Sequence, residues 1–311
     1  MPSTRRDGAP IILFAFNRPA HTLRALESLA ANPLAEHSTL YIYCDGPKRW
    51  EGSAGVRAVR EVVRQKQWCG EVRIRERIEN AGLASSVIHG VTEVMDLHGE
   101  AIVIEDDLVL SPDFLRFMNA ALDAYRDAPR VMQVSGYMYP IERSADAAAA
   151  FLPLTSSWGW ATWARAWKHF DGDMRGADGL LRDAQARYRF DLDGSHPCTH
   201  LIELQRAGRM DSWAIRWYLS VFLANGLVLY PPQSLVQNGG FDGTGTHCTL
   251  MNAYQVSLAA AAGLGLPSNL QVDPDVYRRL VEFHRTLRIP KPPLFQRLLR
   301  RLRYYLPRRS A

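Results

Sequence analysis

Hydrophobic positions in the first half of the chain form short continuous runs separated by amphipathic stretches. Pro10–Phe16 (PIILFAF) is apolar throughout, the pattern of a strand buried on both faces. Ala20–Ala31 carries Leu23, Leu26 and Ala30 at helical spacing and stops at Asn32-Pro33. Leu40–Cys44 is a second strand, closed by the turn tripeptide Asp45-Gly46-Pro47. Gly55–Gln67 reads as a helix, Val72–Ile78 as a strand and Leu83–Leu97 as another helix. Ala101–Ile104 is a strand running straight into Glu105-Asp106-Asp107. Ser111-Pro112 reads as an N-cap and first-turn proline opening a helix to about Asp127, followed by a strand at Val131–Ser135. Strands alternating with helices of this length predict βαβ units, an α/β fold and a mostly parallel sheet.

After Tyr139 the pattern changes. An alanine-rich loop, 145–150, leads to a tryptophan cluster and a polar stretch. Helices are predicted over Thr199–Ala207 and Trp213–Ala224, then a strand at Val228–Tyr230 and a glycine-rich loop from Asn238 to His247. The simplest division is one α/β half followed by a less regular half of the same domain.

Composition narrows the classes. The chain has 311 residues, 47% of them apolar and 22% charged, which excludes a disordered protein. Its longest nearly uncharged small-apolar run, Val256–Leu266, is far shorter than the roughly 18 residues of a membrane span. Met1–Pro10 is polar, without the apolar region of a secretory signal, and the four cysteines form no CxxC pair. Both point to a cytosolic protein. The net charge of +5 is concentrated: residues 291–311 hold seven cations and no acid, leaving 30 cations against 32 acids elsewhere. A nucleic-acid footprint spreads over the folded surface, so nucleic acid is not an expected partner. Within that tail Phe295, Leu298, Leu299, Leu302 and Leu306 mark a basic amphipathic helix. Such a helix either lies on an anionic membrane surface or packs its leucines on the protein body.

Glu105-Asp106-Asp107 is the sharpest chemical feature. Ligands of open α/β sheets bind at the carboxyl ends of strands, where this triplet falls. A divalent cation shared with phosphate oxygens would relieve the mutual repulsion; the plain alternative is a solvated strand end. The first strand ends in Asn17-Arg18-Pro19 without a glycine fingerprint, which excludes a GxGxxG turn there, and no GxxxxGK[ST] occurs. Arg18 is either a phosphate partner or a surface residue, and Asp45 either accepts from a base or ribose or makes an Asx turn. Four tryptophans fall within residues 158–167. Trp160, Trp163 and Trp167 have helical spacing, so a core stripe competes with an aromatic wall, formed by Trp158 and Trp160, for a sugar. Asp211, just before Trp213 and Trp217, is either a helix N-cap or a general base. His247, in a segment with four glycines within residues 239–247, either contacts metal or phosphate or has no such task.

Together these segments resemble bacterial sugar transferases of the GT-A fold, related to the N-acetylglucosaminyltransferase I family. The resemblance rests on ILFAFNRP, YIYCDGPK, ENAGLASS, IVIEDDLVLSPDFLRFMN, SSWGWATWARAW, MDSWAIRW and NGGFDGTGTHC, in order between residues 10 and 250. It implies a GT-A type nucleotide-diphospho-sugar transferase fold with a mostly parallel central sheet flanked by helices. Residues 1–140 would form the nucleotide-sugar-binding half, 141–290 the acceptor-binding and catalytic half, and 291–311 the membrane-surface tail. It implies that Asp107 binds Mn2+ (or Mg2+), that Glu105 and Asp106 hold the donor, and that Arg18 lies near the diphosphate. Asp45 would read the base of UDP, and Asp211 would be the catalytic base. Where the family's animal members have a donor-contacting histidine, this chain has Ala84-Ser85-Ser86.

The activity so implied is inverting, metal-dependent transfer from a UDP-sugar to a hydroxyl of a glycan or lipid-linked acceptor, such as a lipopolysaccharide or capsular chain. The implied location is the inner face of the cell membrane. Two other readings compete: a catalytically silent sugar-nucleotide-binding scaffold, which the intact acids disfavour, and a sugar nucleotidyltransferase, which needs a glycine-rich basic loop that residues 17–19 lack.

Overall fold

The computed structural model describes residues 8–48, 53–144, 147–240, 252–259 and 265–287. Among these residues ten strands are formed: β1 (Ile11–Ala15), β2 (Thr39–Cys44), β3 (Glu71–Glu76), β4 (Glu100–Glu105), β5 (Leu108–Leu110), β6 (Val131–Ser135), β7 (Ala150–Leu152), β8 (Trp160–Trp163), β9 (Leu227–Tyr230) and β10 (Val236–Asn238). Eight make one sheet in the order β3-β2-β1-β4-β8-β6-β9-β7, while β5 and β10 pair as a separate antiparallel ribbon. The pairings of β3 with β2, β2 with β1, β1 with β4 and β6 with β9 are parallel. The expected α/β architecture, a mostly parallel central sheet flanked by helices, is therefore present.

Helices cover both faces because the buried strands alternate apolar side chains above and below. Ile11, Leu13, Leu40 and Ile42 face α1 (Pro19–Ala30), α2 (Ser53–Val63) and α4 (Phe114–Ala124) in one core layer. Ile12, Phe14, Tyr41 and Tyr43 face the other layer. There α3 (Leu83–His98), the short α5 (Ala164–Trp167), α6 (Ala177–Arg182), α7 (Ala184–Phe190), α8 (Cys198–Arg206), α9 (Trp213–Leu223) and α10 (Pro274–Thr286) contribute side chains.

Three local expectations are corrected. The helix after Ser111-Pro112 begins at Phe114 with Asp113 at its N-cap position; the Ser111 hydroxyl accepts from the Asp113 amide at 3.3 Å and donates to the Ala259 carbonyl at 2.7 Å. The alanine-rich segment ends in a strand, β7, which pairs antiparallel with β9. Trp160 and Trp163 lie in β8, not on a helix, and point into opposite core layers as alternate faces of a strand do. The tail 291–311 lies outside the described residues. No helix among the described residues is long and apolar enough to cross a membrane.

Helix α10 closes the second layer. His284 is 3% exposed, with its ring 4.3 Å from that of His196 and 5.3 Å from Tyr139. Burial, with His196 adding to it, pushes its imidazole down to about 3. The unfolded chain accepts that proton near pH 6.5, so stability is complete above this value and declines as pH falls towards 3. Replacing His284 with Phe should flatten this decline. Urea midpoints at pH 7.5 and pH 5 should differ less for H284F than for the wild type.

Candidate functional site

Strand β4 carries the acidic triplet to the carboxyl edge of the sheet. Its register with β1 places Phe14 beside Glu105, so residues 16–18 emerge next to the carboxylates. The Phe16 amide donates to Asp106 Oδ2 at 3.3 Å. Arg18 occupies the N-cap position of α1, and Pro19 at the first helical position confines its backbone. Its Nη2 donates to Asp106 Oδ1 at 2.5 Å and to Asp107 Oδ2 at 3.0 Å. Sequence positions almost ninety residues apart thus meet at one point.

The electrostatics follow from burial. Asp106 is 5% exposed, and desolvation lifts its carboxyl to about 6 despite the opposing effect of Arg18. Glu105 is pushed up by burial and by its two acidic neighbours. Burial works against the charge on Arg18, yet the pull of Asp106 and Asp107 outweighs it and the net shift is upward. One guanidinium stands beside three carboxyl groups and bonds to two of them, Asp106 and Asp107, so the cluster is rich in acidic groups relative to its one cation.

The ribbon of β5 and β10 closes over Asp107. Leu108 pairs with Asn238, and the Gly239 amide donates to the Asp107 carbonyl at 2.7 Å. A Cβ at Gly240 would collide with Asp107 Oδ2 and crowd Asn238 Oδ1, so any larger residue would push the Asp107 carboxylate from its place. The chain beyond, with His247, lies outside the described residues.

Among the described residues no group of three His, Cys, Asp or Glu side chains is arranged to hold a metal by itself. A cation on a nucleotide needs only one or two protein carboxylates, the remaining ligands being phosphate oxygens and water. The donor set at the end of β4, all carboxylate oxygen and rich in acidic groups, fits a hard divalent ion that arrives together with phosphate.

Asp45 directly follows β2 and is 8% exposed. Its Oδ1 accepts from the Gly46 and Ala81 amides at 2.9 Å each, and its Oδ2 from the Asn80 side chain at 2.9 Å and the Gly82 amide at 3.0 Å. The carboxylate therefore staples the turn that leads into α3. Beside it a cavity of about 370 Å³ is lined by Tyr43, Asp45, Arg75, Arg77, Ser86 and His89, among others. Ser86 is 6% exposed, and its hydroxyl has no hydrogen-bond partner among the described residues. A larger cavity, about 510 Å³, is lined by Arg130 and Met132 at the start of β6 and by Leu223 and Ala224 at the end of α9. It opens at the opposite edge of the sheet, away from the carboxylates.

On the other flank, α9 precedes β9, which runs parallel to β6 and in the direction of β4. The N-terminus of α9 consequently lies at the same edge as the acidic triplet. Asp211 stands there with a side chain 65% exposed and 2.5 Å from Arg216 Nη2. It is not the helix cap; the Ser212 hydroxyl accepts from the Ile215 amide in that role. Trp213 stacks on Trp160 at 5.1 Å between centroids, and Trp217 Nε1 donates to Gln133 Oε1 at 2.7 Å. Gln133 in turn donates to the Ser156 carbonyl at 2.7 Å, tying α9 to the segment before Trp158.

The two tryptophans expected to line a cleft separate. Trp158 is partly buried, edge-on to Tyr137 at 4.5 Å and to Tyr254 at 6.0 Å, at the same sheet edge as the carboxylates. Trp160 has no exposed surface and backs Trp213 inside the core. Its ring is therefore not a face for a ligand. Arg216 was not singled out by sequence reasoning, and Gly240, Ser86 and the 80–82 turn entered it only inside longer segments, with no role of their own. Each depends on a contact across at least one element, except Arg216, whose spacing of five from Asp211 on one helix start was a readable signal.

No protein-family model matches the chain, and no curated protein matches it. Among solved structures it is similar to a mannosyltransferase from Pyrobaculum calidifontis in complex with GDP-Man and Mn2+, at 13% identity over 72% of this chain and 76% of that one, with a TM-score of 0.40. It is also similar to TarS of S. aureus, at 11% identity and a TM-score of 0.42; the match covers 73% of this chain but only 36% of TarS. A third is mouse xyloside xylosyltransferase 1 in its apo form, at 11% identity over 69% of this chain and 81% of that one, with a TM-score of 0.35.

Proposed function

We propose that the protein is an inverting, metal-dependent glycosyltransferase of the GT-A type, related to the N-acetylglucosaminyltransferase I family. It moves a sugar from a UDP-sugar to a hydroxyl of a cell-surface glycan or glycolipid. The observation that carries this reading is the clasp between Arg18, at the end of β1, and the acidic triplet, at the end of β4. An arginine and surplus carboxylates at the carboxyl edge of a parallel sheet suit a diphosphate and its cation.

In this reading Arg18 pairs with the diphosphate, Glu105 and Asp106 orient the donor, and the base enters the cavity beside Asp45. Asp107 holds the divalent ion, with His247 as a further ligand from the undescribed segment. When bound, Mn2+ or Mg2+ neutralises charge on the departing diphosphate as a Lewis acid. Asp211 takes the proton of the acceptor hydroxyl as its oxygen bonds to the anomeric carbon and the carbon–oxygen bond to UDP breaks. A single displacement inverts that carbon. Trp158 offers the partly exposed ring for a sugar face. The basic amphipathic segment 291–311 supports a lipid-linked acceptor at the inner membrane face.

Calorimetry with UDP tests the site directly. Wild-type protein should bind UDP with Mn2+ and much more weakly without it, and Asp107→Ala should abolish the difference. Absence of UDP binding under all conditions would remove the uridine assignment, and GDP and CMP would then be titrated in its place.

A further inference from the structure

One nitrogen of Arg18 serves two carboxylates. Nη2 contacts Asp106 Oδ1 at 2.5 Å and Asp107 Oδ2 at 3.0 Å, while Nη1 is buried without a hydrogen-bond partner among the described residues. A guanidinium matched to a permanent carboxylate partner engages both terminal nitrogens in a fork. Here the fork is half used, and the unmatched donor stands at the place proposed above for the diphosphate. The backbone beneath it is fixed. The Thr22 amide and hydroxyl both donate to the Arg18 carbonyl at 3.0 Å, and Pro19 follows directly. Any rearrangement is thus confined to the side chain.

The surroundings of Asp107 make this arrangement consequential. Its side chain is 12% exposed, and Gly240 packs against the same Oδ2 that Arg18 holds. A divalent ion on that oxygen would stand in contact with a guanidinium, an arrangement strongly opposed by like-charge repulsion in a buried setting.

We propose that Arg18 is a built-in competitor for the cation, released from Asp107 by the diphosphate, so that metal and nucleotide bind as a coupled pair and neither binds well alone. This rests on the nucleotide-sugar reading of the preceding section and adds an order to it. The ion takes the carboxylate oxygen only when phosphate oxygens have given Arg18 another partner. Coupling of this kind is reciprocal: the nucleotide strengthens metal binding by the factor with which metal strengthens nucleotide binding. Arg18 is in this role a positioning residue, acting on the cation through Asp107.

The test is Mn2+ binding to the full-length protein, followed by the electron paramagnetic resonance of free Mn2+ at pH 8, with UDP–Mn2+ complexes subtracted from a protein-free control. Wild type should bind Mn2+ weakly alone and about 5- to 150-fold more tightly with UDP. Arg18→Gln should bind Mn2+ alone more tightly than wild type by a similar factor and gain little from UDP. Arg18→Lys, which keeps a cation beside the carboxylates, should remain weak for Mn2+ alone. If wild type and Arg18→Gln bind Mn2+ alone equally while UDP still strengthens binding to wild type, the competitor role is overturned and the transferase reading stands. If neither protein binds Mn2+ even with UDP, the nucleotide–metal reading itself fails. Should Arg18→Gln not fold, Arg18→Met, which removes the charge at similar length, is read by the same outcomes, and a wild-type Mn2+ affinity unchanged by UDP would overturn the proposal by itself.

Discussion

Turnover of an Asp211→Asn protein should fall by about 10²- to 10⁴-fold, the usual contribution of a positioned general base, while its affinity for UDP stays unchanged. UDP release from a UDP-sugar donor, with water or an added acceptor, is the measurement. The substitution is well suited to this purpose because so little else depends on the carboxylate. Ser212, not Asp211, caps α9, and Gln205 Oε1 accepts from the Ser212 amide at 2.7 Å, so the helix start survives. The ion pair with Arg216 involves a carboxylate 65% exposed, and a pair so placed contributes at most about 1 kcal/mol to stability. Asparagine retains the shape and a carbonyl oxygen for Arg216 but takes no proton. Loss of turnover with intact folding and intact UDP binding would therefore identify proton transfer as the missing step. Unchanged turnover would move the base elsewhere on the rim, and loss of UDP binding would make Asp211 a structural residue.

The first half of this fold was legible because its physics is local. Strands β1 and β4 are buried on both faces, so they appear as apolar runs, IILFA and the AIVI between Glu100 and Glu105, and β1, β2 and β3 are each followed by a helix whose period differs from their own. The second half breaks both conditions. Strand β8 arrives from the chain after Ser157 and inserts antiparallel between β4 and β6, a partnership no local pattern encodes. Strands β5, β7 and β10 are three residues long, too short to establish a period. The tryptophans at 160, 163 and 167 fell at helical spacing by coincidence, since the first two occupy opposite faces of a strand. That they are core residues was readable; which element carries them was not.

The candidate site shows the same division. Position along the chain placed Glu105, Asp106 and Asp107 at a strand end, and the structure keeps them there. What their neighbours do was not readable. Asp106 gives one oxygen to Arg18 and the other to the Phe16 amide, so much of its capacity is spent holding β1 to β4. Gly240 comes against Asp107 only because β10 pairs with β5. Sequence separation hides such contacts even where each residue type is suggestive.

Asp45 offers the second large effect, and here the expected change is in stability. Removing its carboxylate as Asp45→Ala leaves three backbone amides, of Gly46, Ala81 and Gly82, and the Asn80 side chain without their acceptor. A buried donor left unmatched costs about 1–3 kcal/mol; the Gly46 amide is buried, those of residues 80–82 are partly so, and because the four share one carboxylate the losses do not add in full. A fall of about 2–4 kcal/mol in unfolding free energy is expected, read as a lower urea midpoint. Asp45→Asn should rescue little of it, since both oxygens accept and an amide nitrogen at either place meets a donor head-on. The turn so held includes Gly82, at a φ of +81°, which sets the start of α3 and thereby Ser86 in the wall of the adjoining cavity. Weaker UDP binding in either variant would follow from the displaced wall as well as from any direct contact with the base. The two causes separate by comparing ligands: a displaced wall lowers affinity for UDP and GDP alike, whereas a lost contact to uracil lowers affinity for UDP alone. A urea midpoint unchanged in Asp45→Ala would show that the 80–82 turn holds its shape without this carboxylate, and Asp45 would then be left with recognition as its task.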